Sequence, residues 1–424
     1  MTEEPTSTSA AVRGGSAIAV AIGIMNVATY LFTILAARLM GPQSFGAFAA
    51  VMNVLLVSSV LALALQATAA RRIAREPEDV GEVEDTILLV GRRAAIVLGL
   101  AFLVLSPLVD VALRLDSIGA AVVLAAAVVP TTLMGAQAGV LQGERRWLPL
   151  ALVYLCAGVP RLALGVVLLW WRPDELVAMT AVAIGACAPI LVGTIALRKP
   201  RAVRPTGSVA GSHTARELWW ETVYNSQALL AFLVLSSIDI VLARNALDPH
   251  AAGLYAGGLI LAKAVMFLPQ FVVVLAFPSM GTEGGQRSAL LVSLGLVAVT
   301  GVAVTIGIRV LPSLALTFIG GAAYAAISDR LWLFAVLGTV LSMIQLLVYS
   351  VLARQARNST IVLWVSLAPL VVAGLTSSTF TELVIRVLTV DSTLLLALLA
   401  ISLWRLRHDV HPAPATAVRD GSTA

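Results

Sequence analysis

Twelve runs of about 20 mainly apolar residues, parted by short charged or turn-rich breaks, fill most of this chain. A run of that length crosses the hydrocarbon core of a bilayer as an α-helix. In that solvent only helices and closed barrels satisfy every backbone polar group. The runs are 17–37, 45–70, 87–109, 118–141, 147–171, 176–197, 219–243, 251–277, 289–308, 331–353, 360–376 and 383–404. Glu382, Arg386 and Asp391 interrupt the last two. The predicted fold class is an all-α polytopic membrane protein of about 12 transmembrane helices. Charged residues make up only 12% of the chain, against about a quarter in soluble domains.

The basic residues gather at span ends and alternate in density. With the N-terminus inside, the inner segments hold Arg13, Arg71, Arg72, Arg75, Arg92, Arg93, Arg145, Arg146 and the basic stretch from Arg198 to Arg216. The opposite side holds Arg38, Arg114, Arg172, Arg244, Arg330 and Arg386. With Arg287, Arg354, Arg357, Arg405, Arg407 and Arg419 also on the inner side, the bias is roughly three to one, so both termini are expected in the cytoplasm. The net charge of +5 therefore reads as topology and not as a nucleic-acid surface. Arginine far outnumbers lysine, which suggests a GC-rich bacterial genome and so a multi-pass protein of a bacterial cytoplasmic membrane. The first run reads as a retained signal anchor.

Division into domains follows the loops: a cytoplasmic segment 1–16, a six-helix bundle 17–197, a basic cytoplasmic linker 198–218, a second bundle 219–404 and a cytoplasmic tail 405–424. Cys156 and Cys187 lie inside apolar runs and read as structural thiols. The four histidines have no metal-ligand spacing, so neither a metal nor a cofactor is expected.

The two bundles repeat a motif. The first carries Arg38-Leu-Met-Gly41-Pro42-Gln-Ser-Phe-Gly46-Ala-Phe48-Ala49; the second carries Arg244-Asn-Ala-Leu-Asp-Pro249-His-Ala-Ala-Gly253-Leu-Tyr255-Ala256. Each contains Pro-x-x-x-Gly, then an aromatic residue and alanine, just after an odd-numbered span. Pro42 and Pro249 are 207 residues apart. Six spans per repeat give parallel, pseudo-symmetric halves about an axis along the membrane normal, with a site between them.

The stretch from Gly14 to Arg72, with Arg38, Gly41, Pro42 and Gly46 at its centre, resembles the N-terminal signature of polysaccharide-biosynthesis flippases. These belong to the multidrug/oligosaccharidyl-lipid/polysaccharide (MOP) exporter superfamily. Ser237-Ile-Asp239, then Pro249, Gly253 and Tyr255, Phe277-Pro278, Phe318-Ile-Gly320 with Tyr324, and Leu141-Gln142-Gly143 before a basic pair are similar to later parts of that family. The resemblance implies two six-helix bundles and export of a polyprenyl-pyrophosphate-linked oligosaccharide from the inner to the outer leaflet. Partners in that role are the lipid-linked glycan, the bilayer, and the polymerase or glycosyltransferases of the same pathway, with no nucleic acid. Twelve spans fit the general flippases better than the fourteen-span peptidoglycan-precursor flippases.

Ionisable residues inside spans are costly and mark functional sites. On the run boundaries Lys263 lies about 18 Å and Arg161 about 15 Å from the outer ends of their helices, so they share a depth, one in each half. Both suit pyrophosphate oxygens, the guanidinium as a planar fork and the ammonium as a point charge. Ala256, Lys263 and Gln270 recur every seven residues and share a helix face. Asn26, Asn53 and Gln270 can add hydrogen bonds to sugar or phosphate; such amides also join helices to one another. Asp239, about 6 Å deep, is placed too shallow to pair directly with Lys263. With Arg309 it is a candidate for coupling or gating. Pro130, Pro160, Pro189, Pro269 and Pro369 interrupt spans and offer kinks.

Three other readings compete. A cation-coupled multidrug or small-molecule exporter needs buried carboxylates, where this chain has basic residues at mid-depth. An integral-membrane glycosyltransferase or polymerase needs catalytic groups on a sizeable outer loop, and the outer loops are short, so no enzyme is expected. A major-facilitator sugar transporter carries a basic loop signature after its second span; here that loop reads Arg71-Arg-Ile-Ala-Arg75-Glu-Pro.

Overall fold

A computed structural model describes residues 6–75, 80–198, 215–267, 286–353 and 357–408. Those residues are helical almost throughout, with no strand among them. Helix α1 (Thr6–Ser58) crosses the membrane, turns at Gly41 and re-enters, and α2 (Val60–Arg75) completes the second span. The third span is α3 (Val80–Val104), followed by the short α4 (Ser106–Leu113). Helices α5 (Ile118–Gly143) and α6 (Trp147–Trp171) are the fourth and fifth. The sixth is broken at Ala186 into α7 (Glu175–Gly185) and α8 (Cys187–Leu197).

The second half follows the same plan. It comprises α9 (Ala215–Ala246), α10 (Pro249–Val265), α11 (Gln286–Val310), the short α12 (Pro312–Ile319) and a 3-10 turn (Ala322–Arg330). Then come α13 (Leu331–Ala353), α14 (Arg357–Leu375) and α15 (Phe380–His408). Every apolar run of the sequence thus contains helix, and the fold is two pseudo-symmetric bundles. Most of the linker, the last residues of the tail, Pro269 and Gln270 lie outside the described residues.

The helices start where the sequence supplies caps. Ser117, Asp174 and Asp248 accept hydrogen bonds from free backbone N–H groups at the starts of α5, α7 and α10. All three starts lie on the membrane face remote from the termini, the distal face. Pro130, Pro160 and Pro369 sit inside continuous helices. Chain breaks come instead at Gly41, at Leu105 before Pro107, at Ala186 and at Leu311 before Pro312. Proline lacks an N–H and fits a first turn, which is why α4 and α12 begin anew there.

Burial follows the repeat. Phe45, Phe48, Tyr255, Tyr324 and Phe334 are among the largest fully buried side chains and belong to one core that joins both halves. Val20, Val104, Val167 and Leu191 are exposed, as a lipid-facing surface requires. Trp171, Trp220 and Trp404 are exposed at span ends, where interfacial tryptophans sit.

Candidate functional site

The motif that repeats in the sequence is also the place where the halves meet. Gly41 has φ 72°, a left-handed conformation open to glycine, and it allows α1 to turn before Pro42. Beyond the turn Gly46 faces Gly253 on α10. A methyl group on Gly253 would lie 1.9 Å from the Pro42 carbonyl oxygen, so the two backbones touch here.

The distal face is closed by a reciprocal exchange. Arg244, at the end of α9, is 5% exposed. It donates through Nε to the Leu113 carbonyl at 2.6 Å and through a second nitrogen to the Arg114 carbonyl. Asn245 donates to the Ala112 carbonyl at 2.8 Å. These are end carbonyls of α4, so the second half caps a helix of the first. In the opposite direction Tyr324, in the 3-10 turn after α12, donates to the Ala37 carbonyl of α1 at 3.3 Å. Arg38 lies against Gly321 in the same turn. Helices α4 and α12 are equivalent: 206 residues separate Arg114 from Gly320, and both have positive φ.

Beneath this seal lies the first interior cation. Lys263, in the last turn of α10, donates to Asn53 Oδ1 on the second pass of α1. Asn53 is 6% exposed, and its Nδ2 donates to the Ala49 carbonyl at 2.7 Å. That bond turns the amide oxygen toward Lys263. One turn earlier on α10, the Ile260 carbonyl accepts from Tyr30 on the first pass of α1 at 3.3 Å. Lys263 is therefore held in the wedge between the first, second and eighth spans.

Arg161 is the second cation. It follows Pro160 in α6 and donates to Thr29 on α1, with its guanidinium 5.8 Å from the Phe32 ring centroid. Its Nε is buried without a partner among the described residues. Thr29 and Tyr30 are neighbours, so Arg161 and Lys263 lie at one level of α1. Arg161 meets α1 at Thr29, and α10 meets it at the adjacent Tyr30, about 100° around the helix. Asn26, half-buried, lies one turn before Thr29. Arg309 is exposed in the last turn of α11.

Asp239 is 2% exposed; its carboxylate accepts from the Ile240 N–H at 2.8 Å and the Tyr255 hydroxyl at 3.3 Å. Tyr255 is fixed by edge-on contacts with Phe334 and Phe380, at 5.3 and 6.0 Å between centroids. Asp391 on α15 is 1% exposed, and one of its oxygens has no partner among the described residues. Lys263 makes its hydrogen bond to Asn53, and no direct ion pair joins it to Asp239 among the described residues. Helix α9 runs on to Ala246, which puts Asp239 deeper than the apolar run suggests.

Sequence reasoning singled out neither the Arg244 clamp nor the partnership of Asn53 with Lys263. Arg244 stood within the repeat motif but was counted as a topology charge. Its position beside the motif was the available signal.

The profile of the polysaccharide biosynthesis protein family matches residues 11–282. No curated protein sequence matches the chain. Among solved structures, an inward-facing multidrug resistance MATE family transporter of the MOP superfamily superposes with a TM-score of 0.71 at 13% identity, over 91% of this chain and 96% of that one. The eukaryotic MATE transporter AtDTX14 gives 0.68 at 14% identity, over 93% and 95%. A MOP superfamily transporter from Pyrococcus furiosus, described by a reverse polarity of its binding pocket, gives 0.58 at 15% identity, over 94% and 95%. The chain belongs to the polysaccharide biosynthesis protein family, and its fold is that of the MOP superfamily transporters on which it superposes.

Proposed function

We propose that this chain carries a polyprenyl-pyrophosphate-linked oligosaccharide from the inner to the outer leaflet of a bacterial cytoplasmic membrane, by alternating access, for surface polysaccharide synthesis. The observation that carries the reading is the pair of interior cations, Lys263 and Arg161, at one level of the first span. A buried cation without a direct carboxylate partner is expensive, and an anionic ligand offsets that cost. Pyrophosphate oxygens suit either cation, the guanidinium as a planar fork and the ammonium as a point charge. The glycan would cross in the cavity between bundles 17–197 and 219–404 while the polyprenyl chain stays in lipid.

Arginine placement puts both termini in the cytoplasm, and the sealed distal face is then the outer one. The better superposition on an inward-facing relative (0.71) than on an outward-facing one (0.62) supports that state. With the inside negative, outward movement of charge gains about 2.3 kcal/mol per unit charge per 100 mV, and a dianion about twice that.

A second reading, a cation-coupled small-molecule exporter, draws on the buried carboxylates Asp239 and Asp391. Depletion of the protein in its host separates the two. Accumulation of lipid-linked oligosaccharide on the cytoplasmic side, with less surface glycan, supports the flippase. Unchanged lipid-linked glycans with increased drug retention, in a host without a second flippase, would replace it with the exporter.

A further inference from the structure

A neutral polar cluster lies two helical turns from Arg161 toward the face that carries the termini. Gln66 on α2 donates through Nε2 to Gln142 Oε1 at 2.9 Å and to the Tyr154 hydroxyl oxygen at 2.6 Å. Three helices, α2, α5 and α6, meet at this point. Gly139 on α5 admits the approach, since a Cβ there would lie 2.7 Å from the Gln66 backbone.

These bonds use both amide hydrogens of Gln66 and leave other groups free among the described residues. Gln66 keeps its carbonyl oxygen, Gln142 keeps two N–H donors, and Tyr154 keeps its hydroxyl hydrogen. Gln142 is exposed, and Gln66 and Tyr154 are half-buried. A free amide in hydrocarbon is strongly disfavoured, so these groups favour water or a polar ligand as partner. The cluster itself bears no charge. Donors and acceptors set around one aromatic ring match a ligand rich in hydroxyls, each of which both gives and takes a hydrogen bond.

Its location fits the same ligand. Trp147, Tyr154 and Arg161 recur every seven residues on α6 and share one face. Tyr154 is about 10 Å from Arg161 along the helix, the reach of a short glycan attached to a phosphate held there. We propose that Gln66, Gln142 and Tyr154 form a subsite for an uncharged sugar of the transported lipid-linked glycan. The assignment rests on the flippase reading and adds the part of the substrate that these residues recognise.

The test is binding to the purified full-length protein of three probes: a short-chain polyprenyl pyrophosphate, the same lipid bearing one neutral hexose, and the same lipid bearing a neutral trisaccharide. The quenching of tryptophan fluorescence reports binding, with Trp147 on the same face as the cluster. The wild type should bind the trisaccharide lipid about tenfold or more tighter than the bare lipid, the worth of one or two hydrogen bonds. Gln142→Ala and Tyr154→Leu should each remove most of that preference and leave bare-lipid affinity unchanged. Equal losses for all three probes would make the cluster a helix joint and overturn the subsite, as would an unaltered preference in both variants. Wild-type protein that binds bare and glycosylated lipid equally overturns the subsite alone. Binding of none of them overturns the flippase reading, and the subsite with it.

Discussion

Gly46 and Gly253 face one another at the junction of the two halves, each at the same position of its repeat. A Cβ on Gly46 would lie 2.9 Å from the Gly253 Cα, and one on Gly253 would collide with the Pro42 carbonyl. Neither neighbour is a flexible side chain, so the space can come only from separating the helices. Gly253→Ala should therefore cost about 1–3 kcal/mol by overpacking and open the distal seal. In a background with Cys156→Ala and Cys187→Ser, the buried Leu247 at the end of α9 replaced by cysteine reports that opening. Faster maleimide labelling is expected in Gly253→Ala, and an unaltered rate would mean the contact does not hold the halves together.

Arg244 holds the same face by a different interaction. Its side chain caps the carbonyls of Leu113 and Arg114, which Arg244→Ala would leave unpaired. A cost of about 1–3 kcal/mol is expected, with faster labelling at Leu247→Cys. Arg244→Lys should restore only part of the effect, because an ammonium lacks the fork that spans two carbonyls. Loss of thermal stability with no change in labelling would assign Arg244 to folding and not to the seal.

The equivalent contact in the other direction is weaker by design of its chemistry. Tyr324 gives one neutral hydrogen bond, to Ala37. Tyr324→Phe keeps the ring that packs edge-on to Phe45 at 6.4 Å and removes only the hydroxyl. A cost of about 0.5–1.5 kcal/mol is expected in thermal unfolding. Combined with Arg244→Ala the two losses should add, since they share no partner. A strong departure from additivity would show that the two contacts open as one unit.

The spans were legible because each needs about 20 apolar residues, and that signal survives any packing arrangement. The repeat was legible because Pro42, Gly46, Pro249 and Gly253 are fixed by backbone geometry: a turn needs Gly41 and a helix contact needs a residue without a Cβ. The short helices α4 and α12 were hidden, since their apolar sequences continue the spans before them. Hydropathy also cannot show that Asn53 turns its oxygen to Lys263, because that depends on a bond to Ala49 and on the approach of α10. Gln66, Gln142 and Tyr154 come from three helices, and sequence spacing carries no trace of their meeting.

The role of Lys263 can be separated from its packing through Asn53. Asn53→Asp changes few atoms and sets a carboxylate against the ammonium, so Lys263 would be neutralised within the protein. Lys263→Ala removes the charge outright. Loss of a charge-assisted hydrogen bond to phosphate is worth about 1.5–3 kcal/mol, a weakening of tenfold or more. Both variants should therefore bind a short-chain polyprenyl pyrophosphate at least about tenfold more weakly than wild type. Asn53→Leu keeps the charge but removes its oxygen partner, leaving Lys263 freer to seek an anion. That variant should lose stability and yet retain binding. Such opposite outcomes for Asp and Leu at one position would follow from electrostatics and not from shape. If Asn53→Asp bound the lipid as well as wild type does, Lys263 would be a packing cation and the phosphate's partner would have to be sought at Arg161 alone.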